Sequence, residues 1–195
     1  MMNAVTLSLK PFIDKISDRV LEQLCRENPD ARLETNAEGK LIIMPPTGSL
    51  TGEKNSDLNY QIQAWNRQYK LGKVFDSSAG FKLANGAVRS PDVSWIKLKR
   101  WNSLTKEQQT KFAPIDPDFI IELASPSDDL VTLRQKMEEY MSCKVKLGWL
   151  IAPNTKEVEI YRQGKIKEVL SNPKILSGED VLPNLKVTLD NVFDD

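Results

Sequence analysis

The spacing of apolar positions changes from helical to alternating several times along the chain. Over residues 16–27, Val20, Leu21, Leu24 and Cys25 recur on one face at helical spacing, with Ser17 placed to cap the helix and Asn28-Pro29-Asp30 to break it. Residues 31–35 and 40–44 alternate as two strands of a hairpin around Glu38-Gly39, closed by Pro45-Pro46. A longer helix follows over 53–70, with Leu58, Ile62, Trp65 and Tyr69 in register and Gly72 as its stop; Glu53 then faces the helix dipole. Strand patterns cover 74–75, 81–83 and 92–96, with Asn85-Gly86 as a tight turn between two of them. Residues 98–111 are polar and suit short helical turns.

The strongest strand pattern is 118–124. Asp128 or Asp129 then caps a helix running to about residue 143, and 147–152 is a second apolar strand. Pro153-Asn154 turns the chain into 158–161 and 166–170, and the tail from Leu176 is mixed, ending in an apolar 187–192. This order predicts an α/β fold, a single domain with a mixed central sheet flanked by helices. The expected division is one unit over residues 1–195, with a helical segment over 1–30 and a core over 31–195. No internal repeat interrupts it.

Composition narrows the chemistry. The chain has 195 residues, enough for one full domain, and its 40% hydrophobic content is ordinary for a globular protein. No apolar run is long enough for a membrane span, and the opening M-M-N-A-V-T-L-S-L-K lacks a secretory pattern. Two distant cysteines, Cys25 and Cys143, fit a reducing compartment, so a cytoplasmic location is expected. With 27 basic and 27 acidic residues, attraction to nucleic acid must come from local patches. There is no histidine, which removes Ser-His-Asp and Cys-His catalysis and H-E-x-x-H zinc sites. A metal here would be a hard cation on oxygen ligands, Mg2+ or Mn2+.

Glu122 lies inside Phe119-Ile120-Ile121-Glu122-Leu123, and Asp92 opens Val93-Ser94-Trp95-Ile96 directly after Ser90-Pro91. A carboxylate in such a run must leave water, at a cost of several kcal/mol unless a cation compensates it. Acids on adjacent strands can share one divalent metal beside a scissile phosphate. A structural reading competes: Asp92 caps a turn, and Glu122 pairs with Arg89 or Arg134. Lys136 falls at the edge of the stripe made by Leu130, Leu133, Met137, Tyr140 and Met141, beside Asp129 and Tyr140. Its amine can fold back towards the Glu122 strand or snorkel into water. Glu34 is a further acid on the first hairpin, where exposure on an edge strand is the simpler expectation. Lys97, Lys99, Arg100 and Trp101 form a basic-aromatic cluster suited to phosphate and stacking contacts, or to a solvated loop.

The runs P-D-V-S-W-I, P-D-F-I-I-E-L-A-S-P-S-D, K-M-E-E-Y, G-W-L-I-A-P and V-E-I-Y-R resemble the Uma-type restriction endonucleases, a family placed in the PD-(D/E)XK nuclease superfamily. The resemblance runs from about Arg32 to the G-E-D-V-L-P tail. It implies a restriction-endonuclease-like fold and Mg2+-dependent (or Mn2+-dependent) hydrolysis of DNA. Asp92 and Glu122 match the two metal-binding acids, with the Leu123 carbonyl as a third ligand, and Glu34 matches an acid of the opening hairpin. The superfamily's lysine position is occupied by Ala124, and the family comparison moves the amine to Lys136. The histidine that relatives carry near the matching T-G-S-L-T-G-E-K-N is absent. A homodimer is expected, since cutting two strands needs two active sites, with the apolar tail as its interface. The competing function is a non-catalytic nucleic-acid-binding or assembly module; RNA or branched DNA is a further substrate option.

Overall fold

The computed structural model of the protein describes residues 4–10 and 12–193. In chain order the elements are β1 (Val5–Leu7), α1 (Asp18–Glu27), β2 (Arg32–Thr35), β3 (Leu41–Met44), α2 (Ser49–Tyr69), β4 (Gly72–Asp76), β5 (Phe81–Lys82), β6 (Val88–Arg89) and β7 (Val93–Lys97). There follow α3 (Leu98–Trp101), α4 (Lys106–Thr110), β8 (Phe119–Leu123), α5 (Leu130–Ser142), β9 (Leu147–Ala152), β10 (Glu157–Arg162), β11 (Glu168–Ser171), β12 (Ile175–Ser177), β13 (Lys186–Thr188) and α6 (Asp190–Phe193).

The central sheet is mixed, with strand order β11-β10-β9-β8-β7-β4 and one parallel pair, β8 with β9. Parallel neighbours need a crossover, and α5 provides it. Every residue of β8 and β9 is buried, which explains why both read as continuous apolar runs. Side chains alternate between the two faces. Val93, Trp95, Phe119, Ile121 and Trp149 pack on Leu58, Ile62 and Trp65 of α2 and on the tail. Ile96, Ile120 and Leu150 pack on the other face against Met137 and Tyr140 of α5.

The opening hairpin does not join this sheet. It belongs to an antiparallel sheet of order β1-β3-β2-β6-β5, whose Leu33, Leu41 and Val88 pack with Leu21 of α1. The early segment also contributes a strand, β1, besides its helix. Asn85-Gly86 makes the expected turn, between β5 and β6, with Gly86 at φ +88.

Three expectations are corrected. Helix α2 starts at Ser49, so Glu53 lies in its second turn and has no N-terminal role. The helix stops at Lys70, in left-handed conformation with its N–H on the Asn66 carbonyl, and Gly72 instead opens β4. The apolar tail residues Leu182, Val187 and Val192 are fully buried within the chain, so they are not free to form the expected dimer interface. Among the described residues no helix is long and apolar enough to cross a membrane.

Candidate active site

Strand register brings the two central acids together. Val93 pairs with Ile121, and one further antiparallel step sets Asp92 opposite Glu122, where side chains share a face about 5 Å apart at Cβ. Asp92 Oδ2 accepts the Leu123 N–H at 2.9 Å, and Asn55 Nδ2 of α2 donates to Oδ1 at 3.3 Å. Helix α5 lies on this same face. It is capped by Asp129, whose carboxylate accepts the N–H groups of Val131 and Thr132.

Lys136 is buried rather than snorkelled. Its Nζ lies 2.9 Å from Glu122 Oε1 and 3.2 Å from Glu34 Oε1. One turn on, the Tyr140 hydroxyl donates to Glu122 Oε1 at 2.9 Å, and its ring centroid is 5.9 Å from the amine. Glu34 is not an exposed edge residue: β2 runs between β3 and β6, and the side chain is 3% exposed. It accepts the Ser90 N–H at 2.9 Å and Arg89 Nη1 at 3.0 Å. Arg89 also holds Glu139 at 2.6 Å.

Neither arginine of the structural reading reaches Glu122. Arg89 serves Glu34 and Glu139, while Arg134 pairs with Glu159 at 2.7 Å. The cation beside Glu122 is Lys136. Asp92, Glu122, Lys136 and Glu34 thus meet on one cavity of about 630 Å³, which Asn55 and Ser90 also line. Ala124, at the superfamily's lysine position, is buried and continues the strand with its N–H on the Ile151 carbonyl.

The electrostatics are uneven. Burial pushes Glu122 up to about 7; Lys136 opposes that shift, and Asp92 and Glu34 add to it. Burial also raises Asp92, against the Leu123 N–H and Lys136. Glu34 is lowered: burial works against ionisation there, but Lys136 and Arg89 together outweigh it. Lys136 is held above its ordinary value, because Glu122 and Glu34 outweigh its burial.

Could these residues hold a divalent cation? The donors are hard oxygens, and Asn55 Oδ1, on the side chain that contacts Asp92, is buried without a partner. Among the described residues no group of three Asp, Glu, Cys or His side chains is arranged around a metal position. Mg2+ suits such a site, since it usually keeps several waters and takes only one or two carboxylates. The donor set fits.

The basic-aromatic cluster lies elsewhere. Lys97 is five residues along β7 from Asp92, roughly 16 Å at strand rise. Arg100 pairs with Asp118 at 2.9 Å, and Trp101 packs on Phe75 with centroids 4.9 Å apart. Sequence reading missed the contacts of Asn55 and the Tyr140 hydroxyl. The second had a signal, the four-residue spacing from Lys136 on an apolar stripe.

None of the curated proteins compared with this chain matches it. Among solved structures, a crystal structure described as "a putative nuclease belonging to DUF820" from Anabaena variabilis ATCC 29413 superposes with a TM-score of 0.71. The match covers 84% of this chain and 90% of that one at 21% identity, so the two chains share a fold. The family model described as "Putative restriction endonuclease" matches residues 19–190, and across that span, which carries all four clustered side chains, the chain belongs to the Uma2 family.

Proposed function

We propose that the protein is a Mg2+-dependent or Mn2+-dependent endonuclease that hydrolyses DNA phosphodiester bonds. The observation that carries this reading is the convergence of Asp92 and Glu122 beside a buried Lys136 in an open cavity. Asp92 and Glu122 would hold the cation, with the Leu123 carbonyl as a third donor. When bound, the cation supplies Lewis-acid polarisation of a phosphate oxygen and lowers the pKa of a water. The chain does the rest. Asp92 is fixed by the Leu123 N–H and Asn55. Glu122 is fixed by Tyr140 and Lys136, both at Oε1. Lys136 stays an ammonium at neutral pH, so it orients the attacking water and stabilises charge developing on the phosphate rather than acting as a base. Glu34 holds that ammonium in place. A homodimer would supply two sites for two strands, through a surface other than the tail.

The test uses purified protein with Mg2+ or Mn2+ on plasmid, linear and single-stranded DNA. Cleavage is expected, and Asp92→Ala and Glu122→Gln should lose at least a hundred-fold, on the order of one transition-state electrostatic contact. Intact DNA, or an Asp92→Ala protein that cuts as well as the parent, would sink the reading. One observation favours a second reading, a non-catalytic nucleic-acid-binding module: Glu122 is already ion-paired with Lys136. Salt-dependent DNA binding without cleavage, unaffected by Glu122→Gln, would identify that module.

A further inference from the structure

A second cavity, of about 730 Å³, opens beside the first and shares Asn55, Ser77 and Asp92 with it. Its long wall is α2. Asn55, Asn59, Gln63 and Arg67 recur every four residues, with Ser56 and Tyr60 beside them, forming one stripe that turns away from the Leu58, Ile62 and Trp65 face. From Asn55 to Arg67 that stripe spans about 18 Å at helical rise. None of these side chains belongs to the hydrophobic core clusters, and the catalytic proposal uses only Asn55.

Three features of the stripe suit one ligand chemistry. Asn59 Nδ2 is a buried donor with no partner, a costly state usually completed by something else. Tyr60 is 70% exposed, an aromatic face turned to solvent within the cavity wall. Arg67 places a cation at the end far from Asp92. An amide donor, a stacking surface and a guanidinium match a chain of phosphates and bases. A cleft of this volume is in the range of small-ligand sites, roughly 300–1,000 Å³, room enough for nucleotides of a single strand.

Resting on the nuclease reading for the neighbouring cavity, we propose that the α2 groove is the track of a single nucleic-acid strand. Tyr60 stacks a base and Asn59 donates to the backbone, so that the strand enters the site past Asp92.

The experiment is fluorescence anisotropy of a labelled dT12 oligonucleotide in EDTA, which separates binding from cleavage. Tyr60→Ala should weaken binding roughly ten-fold. Tyr60→Phe should restore it, since the ring and not the hydroxyl is used. Asn59→Ala should weaken it also. Tyr69→Ala, on the same helix but outside the cavity, should bind like the parent. The groove is overturned if the parent does not bind dT12, if Tyr60→Ala binds as tightly as the parent, or if Tyr69→Ala weakens binding equally. A Tyr60-dependent affinity that is as strong for duplex as for dT12 overturns the single-strand assignment. Tyr60-dependent binding by a protein that cuts nothing with Mg2+ would support the groove and reject the nuclease, so the two readings fail separately.

Discussion

At the scale of single residues, the site is a problem in compensating charge. Glu34 and Glu122 both face Lys136, and Asp92 adds a third carboxylate to the same cavity. Removing the amine leaves two buried acids facing each other. Lys136→Met should therefore cost about 3–5 kcal/mol, read as a lowered urea midpoint, and cleavage should vanish with it; an unchanged midpoint would mean the pair is not buried in solution. Glu122 makes a separate, pH-dependent prediction. Its folded value is about 7, against an ordinary 4.5. Between those values the native state holds more protons than the unfolded chain, so stability falls as pH rises, by on the order of 3 kcal/mol in total. In EDTA, the melting temperature should drop from pH 5 to pH 8, and Glu122→Gln should flatten that slope. Added Mg2+ should raise it more at pH 8 than at pH 6, because the cation requires ionised ligands. Glu122 stood out because a charge inside an apolar run is rare, whereas Asp92 and Lys136, at the edges of apolar patterns, were singled out mainly by the family resemblance. The burial of Glu34 was not legible, since it depends on β6, a two-residue strand too short to leave a pattern.

Among the elements, β8, α5 and β9 were readable for a plain reason: each is long, one period dominates, and Asp129 marks where the helix begins. What periodicity could not show is how closely they approach. Gly148 on β9 faces α5, where an added Cβ would meet the Met137 and Met141 methyls at 2.8 and 3.2 Å. Those are flexible tips that can yield. At Gly72 the same atom would fall 2.3 Å from the Ile96 carbonyl oxygen, which is backbone and cannot. Gly72 is further fixed by two hydrogen bonds with Asn66, whose Oδ1 also accepts from Trp95 Nε1. The glycine that looks like a helix stop is thus a packing requirement between β4 and β7, a contact invisible to local sequence. Gly72→Ala should lower the melting temperature well beyond Gly148→Ala, by an overpacking cost of roughly 1–3 kcal/mol or more. Gly148→Val should behave differently, lifting α5 from the sheet and reducing cleavage more than stability, because Lys136 rides on that helix. Equal thermal losses for the two alanine variants would refute this ranking.

Across the whole molecule, the site joins two sheets: Asp92 and Glu122 come from the central one, Glu34 from the separate antiparallel one, and Lys136 bridges them. The sequence showed one mixed sheet and did not show the second, because three of that sheet's five strands have only two or three residues. The same view limits how DNA can be held. The chain is balanced at 27 basic and 27 acidic residues, and many cations are already committed: Arg89, Arg134, Arg162, Lys146 and Lys167 all sit in ion pairs with carboxylates. Binding by counterion release scales with the number of phosphates neutralised, each contributing about 0.7 to the slope of log affinity against log salt for single strands. With few uncommitted cations near the cavities, that slope should be shallow, about 2 or less, and Arg67→Ala should reduce it by one phosphate's share. A steep slope, near 5, would require an extended basic face, and binding would then have to be sought away from α2. A shallow slope together with Mg2+-dependent cutting places the energetic weight on the cation and the stacked base, which is the balance an enzyme needs in order to release a cleaved strand.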